Sequence, residues 1–202
     1  MIIRLIDRIL YSGMPVTLAV PEHNLESFAR IVLGKKIFLF GGSEEDVLDR
    51  YYKAAAANNA DPVIRVTGDN PLTSVETLVS CVKEHIAAGA DITHPSGDLP
   101  YGSGVEVISF SALEKAWKHA ADPFEREHIT QYHYRNKASF TIQEIPVPEY
   151  LRYTGLRLTI DTKKDFDFYC SIIDRFPEDA TYIRLTDILK SLRDRPVQAF
   201  TK

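Results

Sequence analysis

Two aspartates follow apolar runs that have the character of buried strands. Asp69 comes three residues after the run PVIRV (62–66), and Asp161 comes directly after the run LRLTI (156–160). In open α/β sheets, ligands bind outside the carboxyl ends of the strands, where two such carboxylates can meet at one edge. Magnesium is typically held by one or two carboxylates, with phosphate oxygens and water completing its shell. The two aspartates therefore indicate a shared magnesium site.

A local structural role is the alternative for both aspartates, because Asp commonly caps helices at strand–helix junctions. Here Thr73 and Thr162 each begin a capping pattern, with an acidic residue three positions later. Each threonine predicts the cap of the helix that follows, so neither aspartate is needed for that purpose. This surplus favours a chemical role for the pair.

Strand and helix patterns alternate along the chain, which predicts an α/β fold with a mostly parallel sheet and flanking helices. Amphipathic helical patterns occupy 23–33, 44–59 and 75–89. The predicted strands are VTLAV (16–20), KIFLF (36–40), PVIRV (62–66), VEVISF (105–110) and LRLTI (156–160). The segment ASFTIQEI (138–145) also alternates and is predicted to be an outlying strand or an arm.

Length and composition indicate one globular domain spanning 1–202, with 45% hydrophobic and 26% charged residues. The net charge of −4 argues against nucleic-acid binding, which usually requires an excess of basic residues. Basic residues also form no cluster that would favour binding to an anionic membrane surface. No apolar run is long enough to span a bilayer, and the start is not a secretory signal. Two unpaired cysteines, Cys81 and Cys170, are typical of a reducing compartment, so we predict a cytoplasmic protein.

Four segments resemble a known family in their residues and in their order. The segments are GSEEDVLDRYYKAAAANNADPVIRVTGDNPL (42–72), EVISFSALEKAW (106–117), EREHIT (125–130) and LRLTIDTKKDFDF (156–168). They resemble the cytidylyltransferases that activate sugars for cell-surface polysaccharides, of the type called spore-coat polysaccharide biosynthesis protein F. The CMP-deoxyoctulosonate and CMP-acylneuraminate synthetases are more distant relatives. The resemblance runs from residue 1 to about residue 176 and implies a Rossmann-like nucleotide-diphospho-sugar transferase fold.

The resemblance implies nucleotidyl transfer, in which a sugar hydroxyl attacks the α-phosphate of CTP and pyrophosphate leaves. The magnesium-binding aspartates of the family correspond to Asp69 and Asp161, which are therefore the implied catalytic and Mg²⁺-binding residues. Catalysis of this kind works mainly by positioning and charge neutralisation. The implied partners are CTP or another nucleotide, a sugar, and a second copy of the chain, with 138–145 as a dimer arm.

Further positions match family segments that bind substrate: Ser43, Asp46, Arg50, Glu106, Arg126, Glu127 and His128.

Local structure is the alternative for several of these residues. Ser43, Asp46 and Arg50 match the region near the nucleotide, but a turn, a helix cap and a solvated face would use the same residues. His128 belongs to the REH motif, and its alternative is a hydrogen-bonded structural histidine. Glu106 matches a segment that faces the sugar, whose identity the sequence leaves open.

Family members carry a strand and a Gly/Arg/Lys-rich loop before the first helix, and the matching pattern in this chain begins at that helix. Buried unpaired backbone groups cost about 1–3 kcal/mol each, so the place of that central strand cannot stay empty. Either VTLAV (16–20) and PVIRV (62–66) close up and pair, or another segment or chain fills the slot, or the native protein is longer, and we expect closure. Closure would narrow the nucleotide cleft. The missing loop favours one alternative to an active cytidylyltransferase, an impaired remnant acting as a binding or assembly partner. A glycosyltransferase that uses a nucleotide-sugar is a further alternative, by analogy of fold alone.

Overall fold

The computed structural model describes residues 1–177 and 182–195. The strands are β1 Thr17–Pro21, β2 Phe38–Gly42, β3 Val63–Arg65, β4 Ile92–Ser96, β5 Glu106–Ile108 and β6 Ile142–Pro146. The α-helices are α1 Ile2–Leu10, α2 Leu25–Ile31, α3 Val47–Ala57, α4 Val75–Ala88, α5 Phe110–His119, α6 Pro123–Glu127, α7 Gln131–Arg135, α8 Lys163–Ile173 and α9 Leu185–Asp194. Short 3₁₀ turns lie at Glu22–Asn24, Lys137–Ser139 and Glu149–Leu151.

Within these residues the strands form two sheets, which confirms the predicted α/β fold with its flanking helices. β1 and β2 pair in parallel, and a four-stranded sheet has the order β3-β5-β4-β6. β4 and β6 are parallel, whereas β5 runs antiparallel to both β3 and β4. The sheet is therefore more mixed than the alternation of elements had indicated.

Three segments differ from the predicted strands. The run 156–160 is extended, but within the described residues its ladder contacts are limited to a single parallel bridge between Tyr101 and Arg157. The strand β4 was not predicted, because its sequence ITHPS contains a histidine and a proline among few apolar residues. The predicted arm contains β6, which pairs with β4 of the same chain and is an edge strand of the sheet.

The expected pairing of 16–20 with 62–66 is wrong. In the described part of the chain β1 pairs only with β2, and β3 pairs only with β5. The physical reason is exposure: Leu18, Ala19 and Ile64 are only partly buried, so their strands have edges that water can reach. Hydrated backbone groups do not carry the penalty of buried ones, and nothing forces the two strands together.

Helix ends follow local sequence closely. Thr162 and Asp165 form the predicted capping box at the start of α8, and Gly89 ends α4 in the left-handed conformation with φ of 59°. At the start of α4 the cap is Ser74 rather than Thr73. Thr73 instead donates its hydroxyl to the carbonyl of Asn70 at 2.8 Å. The conclusion that Asp69 is not a cap is unaffected.

Helices cover both faces of the four-stranded sheet. On one face Ile92 and Ile108 pack in a cluster with Leu48 of α3 and Leu113 of α5. On the other face Val107 packs with residues of α1 and α4. A third cluster joins α8 and α9 to the segment after β6. Of the helices described, none combines the length and the apolar run that a membrane span requires.

Candidate functional site

Asp69 and Asp161 lie on neighbouring segments of chain. The amide of Ile160 donates to the carbonyl of Asp69 at 2.9 Å, and the hydroxyl of Thr159 donates to Asp69 Oδ2 at 3.4 Å. Asp69 follows the end of β3, so the extended segment 156–161 runs beside the carboxyl end of that strand. The structure therefore brings together the two segments that carry the predicted metal-binding aspartates.

The carboxylate of Asp69 is surrounded by threonine hydroxyls. Thr67 donates to Oδ1 and Thr159 donates to Oδ2. Both threonines precede an aspartate by two positions, in Thr67-Gly68-Asp69 and in Thr159-Ile160-Asp161. The two threonines were not among the predicted site residues, and this repeated Thr-x-Asp spacing is the sequence signal that identifies them.

Asp161 forms an ion pair with Arg157, four residues earlier in the chain. The pair is half-exposed, and the Arg157 guanidinium lies 4.8 Å from the centre of the Tyr101 ring. Exposed pairs of this kind contribute little to stability. A cation bound at Asp161 would compete with Arg157 at small energetic cost.

Gly102 allows a third loop to approach both aspartate-bearing segments. Its φ is +84°, and a Cβ at this position would lie 2.6 Å from the Thr159 amide nitrogen and 2.8 Å from Asn70 Oδ1. The preceding residue is Tyr101. Its amide donates to the Leu156 carbonyl, and its carbonyl accepts from the Leu158 amide. Only glycine combines this backbone conformation with so close an approach.

The donors at this edge fit a magnesium ion that also binds phosphate. Carboxylates and hydroxyls are hard oxygen donors, and Mg²⁺ usually takes one or two carboxylates from a protein. Among the residues that the structure describes, no group of three or more His, Cys, Asp or Glu side chains could hold a metal alone. The two aspartates would therefore need water and substrate oxygens to complete a coordination shell.

Ser43, Asp46 and Arg50 come together in the loop between β2 and α3. Asp46 is the N-cap of α3, accepting from the Asp49 amide at 2.9 Å, and Ser43 Oγ accepts from the Asp46 amide at 3.0 Å. Arg50 donates to the carbonyl of Ser43. These contacts show that the three residues form the turn and the helix cap. A substrate-binding role for the same loop stays a prediction.

Arg126 of the REH motif is bound to Asp46. Its Nε lies 3.0 Å from both carboxylate oxygens of Asp46, and its Nη1 donates to the carbonyl of Trp117 at 2.8 Å. Arg126 therefore ties α6 to the start of α3. Glu127 is exposed, and the His128 ring packs edge-on against Phe124, with 4.4 Å between ring centres. A substrate role for these three residues stays a prediction.

Glu106 is held by three side chains that were not among the predicted site residues. Arg65 Nη1 lies 2.8 Å from Oε2, the Tyr134 hydroxyl donates to Oε1 at 2.8 Å, and the Thr130 hydroxyl donates to Oε2 at 3.3 Å. Burial raises the pKa of Tyr134, and the nearby Glu106 charge raises it further. Arg65 could have been found from the alternation of β3, because it lies on the same face as Val63.

Tyr51 of α3 contacts the segment between β3 and Asp69. Its hydroxyl donates to the carbonyl of Val66 at 3.2 Å, directly after β3. Burial raises the pKa of Tyr51, and charges on Arg65, Arg50, Glu106 and Asp69 also act on it. The Tyr51 hydroxyl therefore joins α3 to Val66, which lies between Arg65 and Asp69 in the sequence.

Solved structures with the same fold define the class. A cytidylyltransferase from Leptospira borgpetersenii is 26% identical with a TM-score of 0.84, over 96% of this chain and 84% of that one. A CMP:2-keto-3-deoxy-manno-octonic acid synthetase complexed with CTP is 14% identical with a TM-score of 0.63, over 86% of this chain and 87% of that one. The fold is therefore that of nucleotide-diphospho-sugar transferases.

The chain belongs to the cytidylyltransferase family, whose profile matches residues 1–188. It is 40% identical to the uncharacterized protein MJ1063 of Methanocaldococcus jannaschii over 78% of this chain and 64% of that protein. It is 36% identical to the spore coat polysaccharide biosynthesis protein SpsF of Bacillus subtilis over 64% of this chain and 54% of that protein. The matches thus cover about three fifths of the length of these curated relatives.

Proposed function

We propose that this protein is a magnesium-dependent cytidylyltransferase that activates a sugar as a CMP-sugar for cell-surface polysaccharide synthesis. The observation that carries the proposal is the hydrogen bond between Ile160 and Asp69, which sets the two aspartate-bearing segments side by side. Family membership supports nucleotidyl transfer, and the CTP complex of a protein with the same fold supports CTP as the nucleotide. The spore-coat relative supports the polysaccharide role.

In the proposed reaction a sugar hydroxyl attacks the α-phosphorus of CTP. A new phosphorus–oxygen bond forms, the bond to the β-phosphate bridging oxygen breaks, pyrophosphate leaves, and the hydroxyl proton passes to solvent. Asp69 and Asp161 would hold Mg²⁺, which neutralises charge on the phosphates. Thr67 and Thr159 orient the Asp69 carboxylate through their hydroxyls.

The loop after β2 would contact the nucleotide in this proposal. Arg50 carries a cationic side chain beside Gly42 and Ser43, where phosphate or ribose oxygens could be bound. Arg126 and Asp46 would act by holding the loop in place, since they are bound to each other. The protein would work in the cytoplasm and as a homodimer, with the edge strand β6 as a contact between the two copies.

The impaired-remnant alternative loses one of its arguments. That argument required β1 and β3 to close on each other and narrow the cleft, and the described strands do not pair. A glycosyltransferase remains an analogy between folds, without a residue that favours it.

Isothermal titration calorimetry with CTP, UTP, ATP and GTP in the presence of magnesium tests the proposal. We expect CTP to bind, and we expect binding to require magnesium. In Asp69→Asn the metal-dependent binding should be lost, because an amide replaces the anionic ligand. The free energy of unfolding should change by about 1 kcal/mol or less, since the asparagine oxygen can accept from one threonine hydroxyl and its NH2 group can donate to the other.

Asp167→Asn is the matched control, because Asp167 is an exposed aspartate of α8 whose partner is Lys163. This variant should bind CTP as the wild type does. The proposal would be contradicted if both variants lost CTP binding equally, or if the wild type bound CTP equally well with and without magnesium. A large loss of stability in Asp69→Asn would show instead that Asp69 has a structural role.

A further inference from the structure

Arg157 contacts both a carboxylate and an aromatic ring at the edge that carries the candidate metal site. Its Nη2 donates to Oδ2 of Asp161, and its Cζ lies 4.8 Å from the centre of the Tyr101 ring. The side chains of Arg157 and Asp161 are 46% and 51% exposed, and Tyr101 is 66% exposed. The guanidinium and its two partners are therefore open to water and to a ligand.

The backbone holds the Tyr101 ring beside Arg157. The two residues face each other across a parallel β-bridge. The Tyr101 amide donates to the Leu156 carbonyl at 2.9 Å, and the Tyr101 carbonyl accepts from the Leu158 amide at 2.8 Å. These two hydrogen bonds lie on either side of Arg157, and a guanidinium is attracted to the face of an aromatic ring. The ring therefore stays next to the arginine whatever the guanidinium binds.

The backbone at Asp161 is also fixed. The amide of the preceding residue, Ile160, donates to the carbonyl of Asp69 at 2.9 Å. The amide of Asp161 itself donates to Oδ2 of Asp165, which belongs to the capping box of α8, at 3.1 Å. The two sides of the ion pair therefore differ in freedom. The carboxylate lies on an anchored turn, whereas the long side chain of Arg157 is the part that can move.

Arg157 and a divalent cation require the same carboxylate. In the proposed function Asp161 binds Mg²⁺, and a doubly charged ion repels a guanidinium at contact distance. Exposed ion pairs are easily broken, so Arg157 would leave Asp161 when the metal binds there. Because Tyr101 remains beside it, the guanidinium would be released from the carboxylate but kept at the site.

A phosphate oxygen is the partner that the released guanidinium would meet. Magnesium is held by carboxylates and substrate phosphate oxygens together, so the phosphates would lie close to the position that Arg157 leaves. Contacts between guanidinium and phosphate are charge-assisted and often bidentate. Asp165 is a competing carboxylate within electrostatic reach, but its Oδ2 already accepts from Asp161 and Thr162.

We propose that Arg157 exchanges partners when substrate binds. In the free protein it neutralises Asp161, and once a divalent cation takes Asp161 it binds a phosphate oxygen of the polyphosphate substrate, with Tyr101 as its positioning residue. The inference rests on the proposed function, because it takes the metal at Asp161 to bind the phosphates of the substrate. Metal alone must break the ion pair, whereas metal and polyphosphate together give Arg157 a new partner. Each of the two ligands therefore strengthens binding of the other.

The affinities of full-length Arg157→Gln for metal and for polyphosphate test the exchange. The metal probe is Mn²⁺ without nucleotide, followed by EPR. The polyphosphate probes are CTP and inorganic pyrophosphate, titrated by calorimetry in the presence of Mg²⁺. We expect Arg157→Gln to bind Mn²⁺ about threefold more tightly than the wild type, because a competing cation is removed.

The same variant should bind polyphosphate at least about tenfold more weakly, because a charge-assisted contact is lost. The two effects have opposite signs. A purely structural role for Arg157 predicts that both affinities fall, so the pair of measurements separates the two roles.

Arg193→Gln is the matched control, because Arg193 is an exposed arginine whose Cζ lies 5.5 Å from the centre of the Tyr153 ring. It should leave both affinities unchanged. Arg157→Lys keeps the charge and should restore the wild-type Mn²⁺ affinity, but only part of the polyphosphate affinity, since an ammonium group lacks the planar fork of donors.

Tyr101→Leu tests the positioning role. It should weaken polyphosphate binding and leave the Mn²⁺ affinity close to that of the wild type, because Arg157 still pairs with Asp161. Unfolding curves establish that each variant is folded, and if Arg157→Gln is not, Arg157→Lys and Tyr101→Leu decide.

The outcomes separate this inference from the proposed function. An unchanged Mn²⁺ affinity or an unchanged polyphosphate affinity in Arg157→Gln overturns the exchange. If CTP binds the wild type and Arg157→Gln equally well with magnesium, the exchange fails and the cytidylyltransferase proposal stands. If CTP does not bind while pyrophosphate binds with metal and requires Arg157, the cytidylyltransferase proposal fails and the exchange stands. If neither probe binds, both fail.

Discussion

At the scale of single residues, polar side chains either have buried partners within the protein or are exposed and available to a ligand. Arg126 and Asp46 satisfy each other across 80 positions of sequence, and His133 is buried against the carbonyl of Ala112. Asp161, by contrast, is half-exposed, with only Arg157 as an ion-pair partner in the described chain. Residues of the first kind hold elements together, and residues of the second kind can exchange a partner for a ligand.

His133 should make the stability of the protein depend on pH. Its Nε2–H donates to the Ala112 carbonyl at 3.0 Å, and burial lowers its pKa below the ordinary value of 6.5. The folded state therefore resists protonation. The contribution of neutral His133 is complete above pH 6.5 and is lost as the pH falls below that value, at up to about 1.4 kcal/mol per pH unit.

His133→Gln should make the fall in unfolding free energy between pH 7 and pH 5 shallower, as measured by urea denaturation. Some slope should remain, because burial also lowers the pKa of His85. His119→Gln, at an exposed histidine of α5, is the control and should leave the slope unchanged. A slope that is the same in all three proteins would show that His133 does not titrate differently on folding.

At the scale of elements, the candidate site is built from segments outside the regular strands. The turn after β3, the loop around Gly102 and the extended segment 156–161 are joined by backbone hydrogen bonds. The sheet supplies their starting points, but the contacts between them depend on close approach of backbone to backbone. A change that separates these segments should disturb binding while the core remains folded.

Gly102→Ala should lower the free energy of unfolding more than the same substitution at another glycine with a positive φ. A left-handed backbone costs about 1 kcal/mol for alanine, and at Gly102 the new methyl also meets the Thr159 amide at 2.6 Å. The clash should add about 1–3 kcal/mol and separate the two aspartates. Gly155→Ala is the control, with φ of +74° and no atom within 4 Å of the new Cβ.

Urea denaturation and CTP calorimetry measure both effects. We expect Gly155→Ala to lose only the conformational term and to bind CTP normally, and Gly102→Ala to lose more stability and most of its binding. Equal stabilities for the two variants would contradict the close packing of the loop at Gly102.

At the scale of the whole molecule, the two sheets are supported unequally. β5 has a paired strand on each side, whereas β1 and β2 form a pair whose strands are only partly buried. Two-stranded sheets are marginal without packing against other elements. The β1–β2 region should therefore open more readily than the four-stranded sheet.

Amide hydrogen exchange measured by NMR should show this difference. We expect the amides of Val107 and Ile108 in β5 to exchange at rates close to those set by global unfolding, and the amides of β1 to exchange at least about tenfold faster. Binding of CTP and magnesium should slow exchange in the loop after β2. Protection in β1 equal to that in β5 would contradict the idea of a weakly supported first sheet.

The sequence by itself determined the features that depend on neighbouring residues. Short and nearly continuous apolar runs predicted β1, β2, β3 and β5, because such runs are typical of strands covered on both faces. The capping box at Thr162 and the end of α4 at Gly89 follow from chemistry within a few residues. Asp69 could be placed at the carboxyl end of β3 for the same reason, whereas the position of the Asp161 segment beside it depends on the hydrogen bond between Ile160 and Asp69.

Only the tertiary structure decided which elements lie beside one another. The parallel pairing of β4 with β6, the open edges of β1 and β3, and the pairs Arg65–Glu106 and Arg126–Asp46 join distant positions. No local pattern specifies such partners, because any exposed arginine can pair with many carboxylates. Packing of helices on the sheet sets which two come within reach.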